Sequence, residues 1–169
     1  YRYDTDLVRK VKYYINFVLS EAERQKVINN WFSTLVKSEK DFALDLYMNI
    51  DDLKKLSNHS MLGTHAENHV PLGCLSKKEI KKEIEDSVDF LESHVGKDSI
   101  RSISYPYGGL KAVSKEVAEV AEECGLQFGF TMWRGINNFE NLENKFLLNR
   151  IDTNDAPGGK LKRTNFIPS

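Results

Sequence analysis

The sequence predicts an α/β domain organised around a parallel sheet. Two observations carry the prediction. From about residue 60 the chain alternates short apolar runs with helical patterns, and the residues best suited to chemistry fall just after those runs. Strand, helix, strand, helix, strand is the rhythm of parallel α/β architecture, in which ligands sit at the C-terminal ends of the strands. Bulk properties agree with one folded domain over 1–169, since 40% hydrophobic and 29% charged residues match a globular chain rather than a disordered one. With 24 basic residues against 25 acidic ones, the net charge of -1 gives no general attraction to nucleic acid or to an acidic membrane surface. No apolar stretch approaches the roughly 20 residues of a membrane span. The start, YRYDTDLVRK, lacks the apolar core of a secretory signal. Cys74 and Cys124 read as small buried residues and say little about compartment.

The first third, 1–48, reads as helix. Leu7, Val8, Val11, Tyr14, Ile15 and Val18 recur on one helical face, and Ser20 with Glu23 forms a capping box that opens a second helix carrying Val27, Ile28, Trp31, Phe32 and Leu35. A short helix is expected at about Ile50 to Ser57, then a short apolar strand ending at Gly63 that delivers His65 and His69 into a loop. Ser76 and Glu79 form another capping box, and Ile80, Ile84, Val88, Leu91 and Val95 place one apolar stripe along a helix that stops at Gly96. SIRSISYPYGG is strand-like up to Tyr105 and leaves the strand at Pro106, which has no N–H to donate. A helix from about Ser114 turns Val117, Val120, Ala121 and Cys124 inward and ends at Gly125, and LQFGFTM and KFLLNRID read as the remaining strands. The segment 156–169, rich in Gly, Pro and basic residues, reads as a loosely held tail.

Three places hold the candidate chemistry. In His65-Ala66-Glu67-Asn68-His69 the two imidazoles, four apart, would share one face of a helical turn and suit zinc or another first-row metal. They serve equally as two loop histidines making ordinary hydrogen bonds. A pair also leaves a tetrahedral site incomplete, so a further protein ligand must come from elsewhere. In Tyr105-Pro106-Tyr107-Gly108-Gly109 a sharp turn exposes N–H groups that could hold an oxyanion, with tyrosines to flank a sugar ring, or else it is a plain strand-to-helix turn. In Arg150-Ile151-Asp152-Thr153-Asn154-Asp155, Arg150 could orient a carboxylate and Asp152 or Asp155 could act as acid, base or ligand. The alternative there is a solvated strand end with a surface ion pair. Trp133 could stack on a ligand, while His59 and His94 are assigned no chemistry.

In order along the chain, MLGTHAENHVPLGCLSKKEIKKEIEDSVDFLES, SISYPYGG, AEECGLQFGFTM and LLNRIDTND resemble the polysaccharide deacetylase family with its NodB-homology domain, over 49–155. The resemblance implies a deformed, incomplete (β/α) barrel with extra N-terminal helices. It also implies metal-dependent removal of acetyl groups, chiefly N-acetyl, from a carbohydrate. The metal would be divalent, with zinc first, on His65 and His69. The backbone N–H of Tyr107 would face the oxyanion, and Arg150 and Asp152 would line the rim. Tyr105, Pro106, Gly108 and Trp133 would contact substrate. Members of the family are often exported.

The departures from the family pattern set the alternative. The Thr-Phe-Asp-Asp-Gly strand that supplies a general base and a metal-ligand aspartate has no match here, Ala66 replaces a Ser or Thr, Ser104 stands where many members have arginine, and no histidine follows His94. Either the aspartate strand lies upstream of the sequence shown, or the chain is a carbohydrate-binding or partner-binding module on the same scaffold. A sheet without its opening strand would expose an edge that a second copy or another chain could cover.

Overall fold

The computed structural model describes residues 4–154, so Asp155 and the expected tail over 156–169 lie outside the described residues. The chain divides into two compact units, Tyr1–Asn58 and His59–Ser169.

The first unit holds four helices, α1 (Asp6–Phe17), α2 (Glu21–Leu35), α3 (Glu39–Leu46) and α4 (Ile50–Asn58). Each start is set by a polar side chain that satisfies a backbone N–H left over at a helix end. Thr5 accepts from Val8, and Ser20 and Glu23 make the reciprocal capping box read from the sequence. Ser38 accepts from Asp41, and Asn49 and Asp52 cap one another. The helix α3 lies within the segment 1–48 read as helical, although its start at Ser38 was not singled out. Among the described residues of this unit only Arg24 is buried, and it pairs with Glu21 one turn away.

The second unit opens with a single parallel bridge, Thr64 to Ile103, in place of the strand expected up to Gly63. Ser60 has a φ of 54° directly after α4, so too few extended residues remain before the loop to build a strand. A single 3-10 turn at Leu72–Cys74 leads into α5 (Lys77–Val95), capped by Ser76 and Glu79 and stopped by Gly96 at φ 106°. Then follow β1 (Ser102–Ser104), α6 (Lys115–Glu123), β2 (Phe128–Arg134), α7 (Phe139–Glu143) and β3 (Leu148–Arg150).

All strand pairing is parallel, in the order β1-β2-β3 with Thr64 on the outer side of β1. Ile103 faces Gly129 and Phe130 faces Leu148. The described residues thus form an open three-stranded sheet, and no closed barrel is seen among them. Its core joins Ile80 and Ile84 of α5, Val117, Val120 and Ala121 of α6, and Ile103 and Leu148 of the sheet. Cys74 is exposed and Cys124 half-buried, so neither is the fully buried residue expected. Burial nevertheless pushes the Cys124 thiol up to about 11.

Candidate functional site

Parallel pairing sends every strand's C-terminal end to the same edge of the sheet, so the three candidate segments meet there. His65 follows the Thr64 bridge, Tyr105 follows β1, and Ile151 follows β3. The loop carrying the histidines is not a helical turn. Ala66 has φ 61° and His69 φ 52°, left-handed conformations that non-glycine residues seldom adopt. This backbone still brings the imidazoles together, with ring centroids 4.8 Å apart and planes at 68°. The ring of Tyr107, itself at φ 59°, lies 4.9 Å from that of His69. Left-handed non-glycine residues tend to gather where a fold holds strain for a purpose, and three of the five in the described chain lie in these two loops.

Ser104 ties the site together. Its N–H donates to Thr64 at 3.0 Å, its carbonyl receives a bond from His65 Nδ1, and its hydroxyl accepts Arg150 Nη1 at 2.6 Å. A bond from Nδ1 to a carbonyl fixes the ring tautomer and leaves Nε2 as the acceptor, the arrangement found in metal-binding histidines. Arg150 also donates through Nε to the carbonyl of Thr131 at 2.6 Å, so its guanidinium is held between β1 and β2. The residue that departs from the family pattern at 104 therefore receives an arginine from β3.

The Tyr105–Gly109 loop rests on a buried base. Tyr105 and Pro106 are enclosed, so they support the turn from beneath rather than offering a face to a sugar. The Tyr105 hydroxyl has no hydrogen-bond partner among the described residues, and burial pushes the phenol well above its ordinary value. The phenol passes so close to Gly129 that a Cβ there would collide with it and with the Phe146 carbonyl. Gly108, at φ 50°, leaves room for the Met132 N–H that donates to its carbonyl at 2.8 Å.

On the far side, Asp152 pairs with Arg134 at 3.1 Å. Bonds from the backbone and side chain of Asn154, and then Arg134, hold its carboxyl below the usual aspartate range. Met132, Arg134, Arg150, Ile151, Asp152 and Thr153 line a cleft of about 290 Å³. Trp133 is half-buried, with its indole N–H enclosed and without a partner among the described residues.

His65 and His69 are the residues best suited to a metal. Among the described residues no group of three or more His, Cys, Asp or Glu side chains comes together to complete a site. Sequence reasoning passed over Thr64, Asn68, Glu83 and Ser87, which hold the histidine loop. The one available signal was the i, i+4 spacing of Glu83 and Ser87 on the inner side of α5.

A parallel α/β unit with histidines, a tyrosine and an arginine gathered at its strand ends has the layout of a ligand-binding or hydrolytic α/β protein. The polysaccharide deacetylase family model matches residues 32–129, more than half of the chain, and the chain belongs to that family. Among solved structures, the Streptococcus pyogenes deacetylase PplD, in complex with acetate, is 25% identical. That match covers 59% of this chain and 43% of that one, with a TM-score of 0.49. The BpsB deacetylase domain from Bordetella bronchiseptica is 20% identical, with 63% and 49% covered and a TM-score of 0.52, a likeness of α/β fold. The chain spans less than half the length of either structure. No curated protein matches it.

Proposed function

We propose that this chain carries the histidine and tyrosine loops of a metal-dependent hydrolase that removes acetyl groups, chiefly N-acetyl, from a polysaccharide, and that its strands belong to an incomplete (β/α) barrel. The observation that carries the reading is the cluster of His65, His69 and Tyr107 at the strand ends, with the His65 tautomer set by Ser104. Two neutral imidazoles fit half of a zinc site, and the remaining ligands would have to be added to the described residues. When bound, a divalent ion supplies polarisation of the acetyl carbonyl and a lowered pKa for the attacking water.

The chain's own residues do the positioning. His65 and His69 hold their rings 4.8 Å apart, and Arg150 steadies the end of β1 through Ser104. The backbone N–H of Tyr107 is the donor proposed for the developing oxyanion, a contact worth about 3 kcal/mol. Asp152, bound to Arg134, and Trp133 line the approach for a sugar.

The test is zinc affinity of the purified chain by titration, read with acetate release from N-acetylated oligosaccharides. Wild type is expected to bind zinc, weakly because half of the ligand set is present, and His65→Ala and His69→Ala are each expected to lose that binding while keeping their far-ultraviolet circular dichroism. Unchanged zinc affinity in both variants would sink the proposal. Sugar binding that persists in chelator with no acetate released would favour the carbohydrate-binding module instead.

A further inference from the structure

We infer that Glu83 is a positioning residue for the histidine pair, clamping the loop between His65 and His69 to α5. This rests on the reading that the two histidines are metal ligands. The Glu83 carboxylate accepts twice from Asn68, from its backbone N–H at 2.9 Å and from its side-chain amide at 2.8 Å. The backbone carbonyl of Glu83 accepts the Glu67 N–H at 3.1 Å. One turn along, the buried Ser87 hydroxyl shares a 2.6 Å hydrogen bond with Thr64 Oγ1, which also accepts the Ala66 N–H at 3.2 Å. Two residues four apart on one helix thus hold both ends of the loop.

The loop needs such a hold. With Ala66 and His69 both left-handed, its backbone would relax toward commoner conformations if nothing opposed it. Neighbouring carboxylates on α5 have a different use: Glu85 and Asp86 pair with Lys81 and Lys82 along the helix surface. Glu83 is half-buried and turned to the loop, and its two charge-assisted bonds to one residue fix the segment between the imidazoles. Groups that orient metal-binding side chains without touching the metal commonly control affinity.

A swap experiment on the full chain separates a clamp from a surface carboxylate. Glu83→Ala removes both acceptors at little cost to helix propensity. Asn68→Asp sets two carboxylates face to face. Glu83→Gln alone stays near wild type, because the Asn68 amide can turn over to match it. Combined with Asn68→Asp, Glu83→Gln lets the new carboxamide donate to the new carboxylate and restores both bonds.

The readouts are hydrogen exchange of the residue-68 amide and nuclear Overhauser contacts between the two imidazoles, both without metal, and cobalt affinity by titration. Glu83→Ala and Asn68→Asp are each expected to speed that exchange roughly tenfold and to weaken cobalt binding about 10- to 100-fold. The double variant is expected to recover both, and the melting temperature of Glu83→Ala to stay near wild type. Wild-type exchange and cobalt affinity in Glu83→Ala overturns the inference, as does a double variant no better than Asn68→Asp. If wild type binds no cobalt, the metal reading fails, while exchange and ring contacts still decide the clamp.

Discussion

The helices of Tyr1–Asn58 and the α/β unit of His59–Ser169 use the same local devices, and they differ in what those devices are connected to. Ser20 with Glu23 opens α2 just as Ser76 with Glu79 opens α5. Yet every buried hydrophobic side chain among the described residues belongs to the second unit, whereas in the first Leu35 is 82% exposed and Leu7 72%. A helix packed on a sheet gains from the apolar area it removes from water, roughly 25 cal/mol per Å². A helix whose apolar face stays in water keeps only its caps and backbone bonds, which short helices find barely sufficient. Correct local signals define an element, and a partner surface decides how firmly it is held.

The largest effect expected from this contrast is in the core. Ile103→Ala, at a fully buried position on β1, should cost about 2–5 kcal/mol in urea unfolding. Leu35→Ala should stay within about 0.5 kcal/mol. A comparable loss at Leu35 would break the contrast, because it would mean that this face is covered in solution. A smaller effect sharpens it: Ser76→Ala and Ser20→Ala each remove a cap and should cost about 1 kcal/mol in the unit concerned. Unequal losses would show that the caps, too, depend on packing.

The smallest expected effect lies at the rim. The folded chain holds Asp152 below the ordinary aspartate range, so it keeps that carboxylate charged to lower pH than the unfolded chain does. The stabilisation is therefore complete above the unfolded pKa of about 4 and is lost as pH falls through the lower folded value. Carbon-13 titration of the Asp152 carboxyl should show a depressed midpoint. Asn154→Ala should raise it only in part, because it removes the side-chain bond and keeps the backbone N–H of residue 154, the larger cause. A midpoint fully returned to the ordinary aspartate range in Arg134→Met would reassign the shift to the ion pair.

Much of the second unit was legible in the sequence because its signals are local. The capping box at Ser76, the stop at Gly96, the start at Ser114 and the stop at Gly125 all stand where the periodicity ends. The strand before the histidines was misread because its apolar letters give no warning of the left-handed Ser60. The short helix α7 was missed because five residues show no period, although its Asn138 and Asn141 cap is visible once sought. At the site, residue types suggested His65, His69, Tyr107 and Arg150. The bonds joining His65 and Arg150 through Ser104 cross 39 and 46 residues of chain, a distance over which no sequence pattern reports.

That same separation governs how the site comes into being. Ser104 gathers Thr64, His65 and Arg150; the first two bonds close only once the 64–65 segment lies beside β1, and the third only once β3 has joined the sheet. Closing loops of this length costs entropy ahead of any contact that repays it, which makes parallel sheets slow to assemble. In a refolding experiment the helix signal should therefore return first, and the geometry of the histidine loop should appear with the last phase.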